Sequence, residues 1–184
     1  MRWVDEVPDE DTVVDAILGI MGMLHVSSAS VVGHSYGTFM ASRLVQRAPE
    51  RVQSMALLDP VCFIMFDGKL IHNFVYKPQN GAITTWLVAR DLHHATSVCR
   101  NFFWSLLNLW PDQLPDHSLV VLSANDDLVP VEATMTMLEG ERPDVEVLLH
   151  DTHKHADFIK DLPWQDLVVT RVTDLIRRAA VGPA

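Results

Sequence analysis

The chain is short of cysteine, of basic residues and of long apolar runs, and each shortage removes a class of protein. Cys62 and Cys99 are the only cysteines among 184 residues. Neither stands in a Cys-x-x-Cys spacing, so a disulfide scaffold is excluded and two reduced, buried thiols are expected. Only 14 Lys and Arg stand against 24 Asp and Glu, a formal net charge of −10. No basic cluster interrupts that acidity, and a nucleic-acid partner is not expected. Every apolar run is too short to span a bilayer. The acidic start MRWVDEVPDEDT has neither the apolar core of a signal peptide nor the pattern of a transit peptide. The expected localisation is cytoplasmic for the chain as it stands, since a preceding region with an anchor or targeting segment would change it.

What is there suits one globular domain. Hydrophobic residues make up 48% and charged residues 21%, with a mean hydropathy of +0.13, well outside the range of disordered chains. PDEDTVVDAILGIMGMLHV places acidic residues where a helix starts and spaces Val14, Ile17, Leu18, Met21 and Leu24 on one face, which predicts an amphipathic helix over residues 11–24. SSASVV follows as a short strand, runs into GHSYG and then into TFMASRLVQRAPERV, whose Met40, Leu44 and Val45 are spaced as on a helix that Pro49 stops. RVQSMALLDP, SLVVLS and DVEVLLH read as further strands, apolar enough to be covered on both faces. A helix is predicted from Pro130 to Gly140, and a last one over WQDLVVTRVTDLIRRAA, with Arg177 and Arg178 at its C-terminal end. Strands alternating with helices give an α/β fold: a mostly parallel sheet with flanking helices.

Residues 61–111 break the alternation. Phe63, Phe66, Phe74, Trp86, Phe102, Phe103, Trp104 and Trp110 fall there, between the turn signals DGK, KPQNG and WPDQLP. The stretch reads as a helical insertion in which aromatics chiefly supply core, with the further option that they wall an apolar pocket over the end of the sheet. The organisation is therefore core over residues 1–60, a helical lid over 61–111, and core again over 112–184.

The chemistry centres on Gly33-His34-Ser35-Tyr36-Gly37. A serine on a tight turn between strand and helix needs small residues two before and two after it, because the backbone doubles back closely. ASVVGHSYGTFMASRLVQRAPERVQSMALLDP resembles the nucleophile elbow, helix and next strand of the α/β-hydrolase superfamily, of the serine esterase and lipase-like kind. That resemblance implies an acid after a later strand and a histidine last. LVVLSANDDLVP resembles the family's acid turn and implies Asp126, four residues before Pro130, with Asp127 as its neighbouring alternative. KHADFI resembles the His-x-Asp-Phe segment of lipase-like members and implies His155 as the base, with His153 as runner-up and His150 structural. Tyr36, following the nucleophile, would give its backbone N–H to an oxyanion.

Two rival chemistries are weaker. THKHAD resembles the His-x-His-x-Asp-His signature of metallo-β-lactamase-type hydrolases, but Phe158 stands where the final histidine belongs and no histidine follows His155. No metal and no cofactor are expected. His93 and His94 read as polar lid residues. The acyltransferase pattern His-x4-Asp is absent.

One departure is large. Complete superfamily members have several strands and a helix ahead of the helix at residues 11–24, including the loop that supplies the second oxyanion donor. Without them the Ser35 strand becomes an exposed apolar edge. The expectation is a fragment, an alternative start, or a chain completed by a partner or a second copy. The reading is a serine hydrolase acting on a hydrophobic ester or acyl substrate. Its alternative is a hydrolase remnant that binds a ligand or partner.

Overall fold

The computed structural model describes residues 8–78, 83–92, 98 and 102–181; His93, His94 and Cys99 lie outside them. Four parallel strands form one sheet in the order β1-β2-β3-β4: β1 (Ala29–His34), β2 (Val52–Leu58), β3 (Ser118–Ser123) and β4 (Glu146–His150). The side-chain period of two divides each strand between two cores. Met55 and Leu57 of β2, Val120 and Leu122 of β3, and Val147 and Leu149 of β4 face one layer. Ala56, Leu58, Leu119, Val121 and Leu148 face the other. Both faces are covered, which is why these strands read as continuous apolar runs rather than as alternating ones.

The first layer is built from α1 (Glu10–Met23), α2 (Gly37–Arg47) and α6 (Val131–Glu141). The second rests on α7 (Leu162–Val181), through Val168 and Leu175. Helix α1 begins where the acidic residues placed it, with Asp9 accepting the Thr12 N–H at 2.8 Å as the N-cap. It is tied to α2 by Arg43, whose Nε and Nη2 donate to the two carboxylate oxygens of Asp11 at 2.7 and 3.0 Å. Helix α6 runs one residue past Gly140, ending at Glu141. Beyond it Arg142 locks the chain by donating to the carbonyls of Pro111 and Leu114 and to Asp144.

Leu57, fully buried in the middle of β2 between two paired strands, tests this layer. Leu57→Ala is expected to lower unfolding free energy by about 2–5 kcal/mol, read by denaturant titration, since the paired strands hold the cavity open.

Between β2 and β3 the described residues form short helical pieces, among them α3 (Lys69–Ile71), continuing as a π-turn through Tyr76, α4 (Ile83–Ala89) and α5 (Trp104–Leu107). The aromatics here depart from a core assignment. Phe63 is buried and Phe74 and Phe102 pack against the core, whereas Phe66, Trp86, Phe103, Trp104 and Trp110 are all exposed. Short helices on top of a sheet have one buried side only, so aromatic density there exceeds what the core takes up. Cys62 is buried, and burial pushes its thiol up to about 12. Strand β1 is the edge of the sheet among the described residues, and Val32 on it is 55% exposed. No helix among the described residues is long and apolar enough to cross a membrane.

Candidate active site

Strand β1 ends at His34 and α2 starts at Gly37, which leaves two residues to turn the chain. Ser35 makes the turn in the left-handed region, at φ 51°, a conformation a non-glycine residue adopts only at a cost. Several hydrogen bonds hold it there. Ser35 N–H donates to Leu58 O at 3.0 Å, and Ser35 O accepts from Thr38 N–H at 2.9 Å and from the Thr38 hydroxyl at 2.6 Å. The crowding argument for small residues applies on one side only. A Cβ at Gly33 would stand 3.0 Å from Gly37 O and 3.3 Å from Thr38 Cα, whereas one at Gly37 would meet nothing within 4 Å.

The structure brings Ser35, His155 and Asp126 into one line. Ser35 Oγ lies 2.7 Å from His155 Nε2, and His155 Nδ1 lies 2.7 Å from Asp126 Oδ2. The other Asp126 oxygen, Oδ1, accepts the N–H groups of Leu128 and Val129 at 2.7 and 2.9 Å, which fixes the carboxylate in its turn after β3. Both Asp126 and His155 are buried. Burial opposes the charged form of His155, but the hydrogen bond that it donates to Asp126 and the charges of Asp126, Asp59 and Asp127 outweigh it, and its pKa lies above the ordinary imidazole value. Tyr36, next to Ser35, is the N-cap of α2, at the positive end of the helix dipole.

The competing residues go elsewhere. The carboxylate oxygens of Asp127 are buried without a hydrogen-bond partner among the described residues, and its carbonyl accepts from the Asn73 side chain. His153 turns to Asp161, with Nε2 3.1 Å from Oδ2, and its ring stacks on His150 at a centroid separation of 3.3 Å. His34 packs edge-on to Phe158 and stacks at 5.9 Å on His155. Burial, with His155 adding to it, lowers the His34 pKa to about 4, so this imidazole is neutral at physiological pH.

Beside Ser35 opens a cavity of about 100 Å³, walled by Tyr36, Phe39, Val61, Leu70, Ile71, Phe74, Val88, Val98, Phe102 and Leu128. Among the described residues its walls carry no charged side chain.

A family profile described as the alpha/beta hydrolase fold matches residues 9–80. The chain has the α/β-hydrolase fold. It is 23% identical over 169 residues to the 2-hydroxymuconate semialdehyde hydrolase of Pseudomonas sp. (strain CF600), a match that covers 75% of this chain and 59%, under two thirds, of that protein. It also superposes on 2-hydroxy-6-oxo-6-phenylhexa-2,4-dienoate hydrolase from Rhodococcus sp. strain RHA1, with a TM-score of 0.63 at 22% identity, covering 96% of this chain and 75% of that one. A thermophilic esterase from Thermogutta terrifontis gives a TM-score of 0.62 at 13% identity, over 97% of this chain and 75% of the other.

Among the described residues of this α/β-hydrolase fold, two groups of side chains converge closely enough to be weighed as metal ligands: Asp59, Asp126 and His155, and His150, His153 and Asp161, the ligand atoms of each lying within 4.8 Å of one another. In the first, Asp126 and His155 are hydrogen-bonded to each other, and Asp59 accepts the Ser123 hydroxyl and the Ala156 N–H. In the second, His150 Nδ1 accepts the N–H groups of Thr152 and His153 at 3.3 and 3.2 Å. Its other nitrogen therefore carries the ring's proton, and a metal there would have to displace it. His153 Nδ1 is buried with no partner among the described residues, which do not supply the second hydrogen bond that orients a ligating imidazole. Asp161 Oδ1 accepts the Trp164 N–H at 3.1 Å in the first turn of α7. These three residues fit a loop anchor better than a metal centre.

Asp59 is a further acid at this site that no motif in the sequence marks. It ends the strand stretch RVQSMALLDP, where an aspartate ahead of a proline reads as a turn signal. Yet it is 2% exposed, and a carboxylate at the C-terminal end of a strand in an α/β sheet falls where such sheets bind ligands.

Proposed function

We propose that this protein is a serine hydrolase that cleaves an ester with an apolar acyl or alcohol part. The observation that carries the reading is the continuous line Ser35 Oγ, His155 Nε2, His155 Nδ1, Asp126 Oδ2, with 2.7 Å at each hydrogen bond. Ser35 Oγ attacks the ester carbonyl carbon as His155 Nε2 takes its proton. The Tyr36 N–H donates to the oxyanion that forms. As the C–O bond breaks, His155 returns the proton to the departing alkoxide, leaving an acyl group on Ser35. Water activated by the same imidazole then releases the acid and restores the serine. Asp126 keeps the Nδ1 proton in place and stabilises the imidazolium in both steps. Because the base must be neutral to accept the proton, and His155 titrates above the ordinary imidazole value, activity rises with pH through a midpoint above about 6.5.

The apolar cavity favours a neutral substrate group beside Ser35. The hydrolases to which this chain is similar are named for a muconate semialdehyde and a phenylhexadienoate, and the latter name implies a carboxylate. A carboxylate taken among the described walls of the cavity, which carry no Lys, Arg or His, would lose its hydration without an ionic partner there, so a neutral ester suits these walls better.

A fluorophosphonate probe tests the reading. The folded protein is expected to be labelled, with the mass increment on the peptide holding Ser35, and to hydrolyse p-nitrophenyl butyrate. A folded protein that does neither overturns the assignment and leaves a ligand-binding or partner-completed α/β-hydrolase fold as the reading.

A further inference from the structure

We propose that Asp59 is a second acid of this site, a positioning residue that anchors the backbone next to His155 and adds its negative charge to those facing the imidazole. The proposal rests on the reading of His155 as the base.

Asp59 lies at the end of β2, 2% exposed, in the left-handed region at φ 43°. Its Oδ1 accepts the Ser123 hydroxyl and its Oδ2 accepts the Ala156 N–H, both at 2.8 Å. Ala156 directly follows His155 and is itself left-handed, at φ 63°. One hydrogen bond thus joins two backbone positions that side-chain-bearing residues occupy only at a cost, and it grips the peptide through which His155 is held. Asp126 holds the imidazole from its Nδ1 side, and Asp59 holds the main chain behind it.

An anchor alone does not require a charge. An asparagine would accept the same amide without the cost of burying an anion. Burial indeed pushes the Asp59 pKa up, opposed by the Ala156 and Ser123 hydrogen bonds. A charge retained against that cost has a use when a cation forms nearby, and the imidazolium of His155 is that cation. The groups facing His155 are Asp126 and Asp127 from the turn after β3, Asp59 from β2, and His34 from β1. His34 Nε2 stands 3.8 Å from Asp59 Oδ2, but its burial keeps it neutral, so it does not absorb the carboxylate's charge.

Asp59→Asn separates the two contributions. Its Oδ1 can accept the Ala156 N–H while its Nδ2 donates to Ser123 Oγ, which turns from donor to acceptor. The readout is the NMR titration of the His155 imidazole, which needs no turnover. The midpoint is expected to fall by about one pH unit, a tenfold loss of proton affinity, and fluorophosphonate labelling, compared at an alkaline pH where His155 is neutral in both proteins, to slow by up to about tenfold as the imidazolium becomes harder to form. A folded Asp59→Asn protein with an unchanged His155 midpoint overturns the proposal, whereas an unlabelled wild-type protein overturns the hydrolase reading alone. If the variant does not fold, the wild-type protein decides: the Asp59 carboxyl resonance is expected to be that of the anion at the pH where His155 takes up its proton. A protonated Asp59 there overturns the proposal.

Discussion

Ser35→Ala is expected to reduce hydrolysis of p-nitrophenyl butyrate by about a millionfold, the loss found when the nucleophile of a serine-histidine-acid unit is removed. Without Oγ no acyl group can be held on the protein, and His155 and Asp126 have no proton to move, so the three side chains fail together rather than in proportion. What remains is binding in the cavity and the Tyr36 N–H aimed at the oxyanion. The fold is expected to survive. Alanine meets the same left-handed backbone cost at φ 51° as serine does, and the turn is fastened by the Leu58 and Thr38 hydrogen bonds, which involve only the Ser35 main chain. The lost Oγ to Nε2 hydrogen bond is partly buried and contributes about 1 kcal/mol to stability. A steady-state assay paired with thermal melting checks both halves. A variant that keeps more than a thousandth of wild-type turnover would remove Ser35 from the chemistry, and the apolar cavity would then be a binding site only.

Much of this arrangement is legible in the sequence, for physical reasons that differ from element to element. The strands MALLDP, SLVVLS and EVLLH are read as apolar runs because each is covered on both faces, by α1, α2 and α6 on one side and α7 on the other. Ser35 is legible because its turn leaves a local mark: at Gly33 an added Cβ meets Gly37 O at 3.0 Å, and only glycine avoids that. Gly37 shows the limit of the same argument, since the space beside it is open and the pattern alone overstates how tight the turn is.

Other features depend on contacts between residues far apart in the chain, and there the sequence offers alternatives without choosing. Asp126 and Asp127 are adjacent and chemically identical. What separates them is that Asp126 Oδ1 turns back to accept the Leu128 and Val129 N–H groups, leaving Oδ2 toward the imidazole. His153 and His155 alternate along the loop, so that one faces Asp161 and the other faces Ser35. Asp59 carries no local mark, because its two partners, Ser123 and Ala156, are 64 and 97 residues away. The aromatic residues of the insertion show the converse, composition that misleads: Phe66, Phe103 and Trp110 have core character but lie in short pieces with solvent on one side.

Asp126→Asn is expected to lower turnover by about ten-thousandfold with little change in melting temperature. The reasoning follows the hydrogen bonds. Asp126 Oδ1 accepts two backbone N–H groups that can only donate, so an asparagine at this position places its oxygen there and its amide nitrogen toward His155 Nδ1. That nitrogen donates. His155 Nδ1 must then accept, which moves the imidazole proton to Nε2, the atom that has to take the proton from Ser35. The base is present and well placed but in the wrong tautomer, and the imidazolium of the transition state also loses its counter-charge. The defect is expected to ease as pH rises and hydroxide takes over the role of the base. Asp126→Ala behaves differently, because it leaves the Leu128 and Val129 N–H groups buried and unpaired, at a cost of about 1–3 kcal/mol each. Activity lost with stability kept in the asparagine variant, against activity and stability lost together in the alanine variant, would assign Asp126 its role. Near wild-type turnover in a folded Asp126→Asn protein would instead transfer the orienting role to Asp59, whose carboxylate already faces the same imidazole.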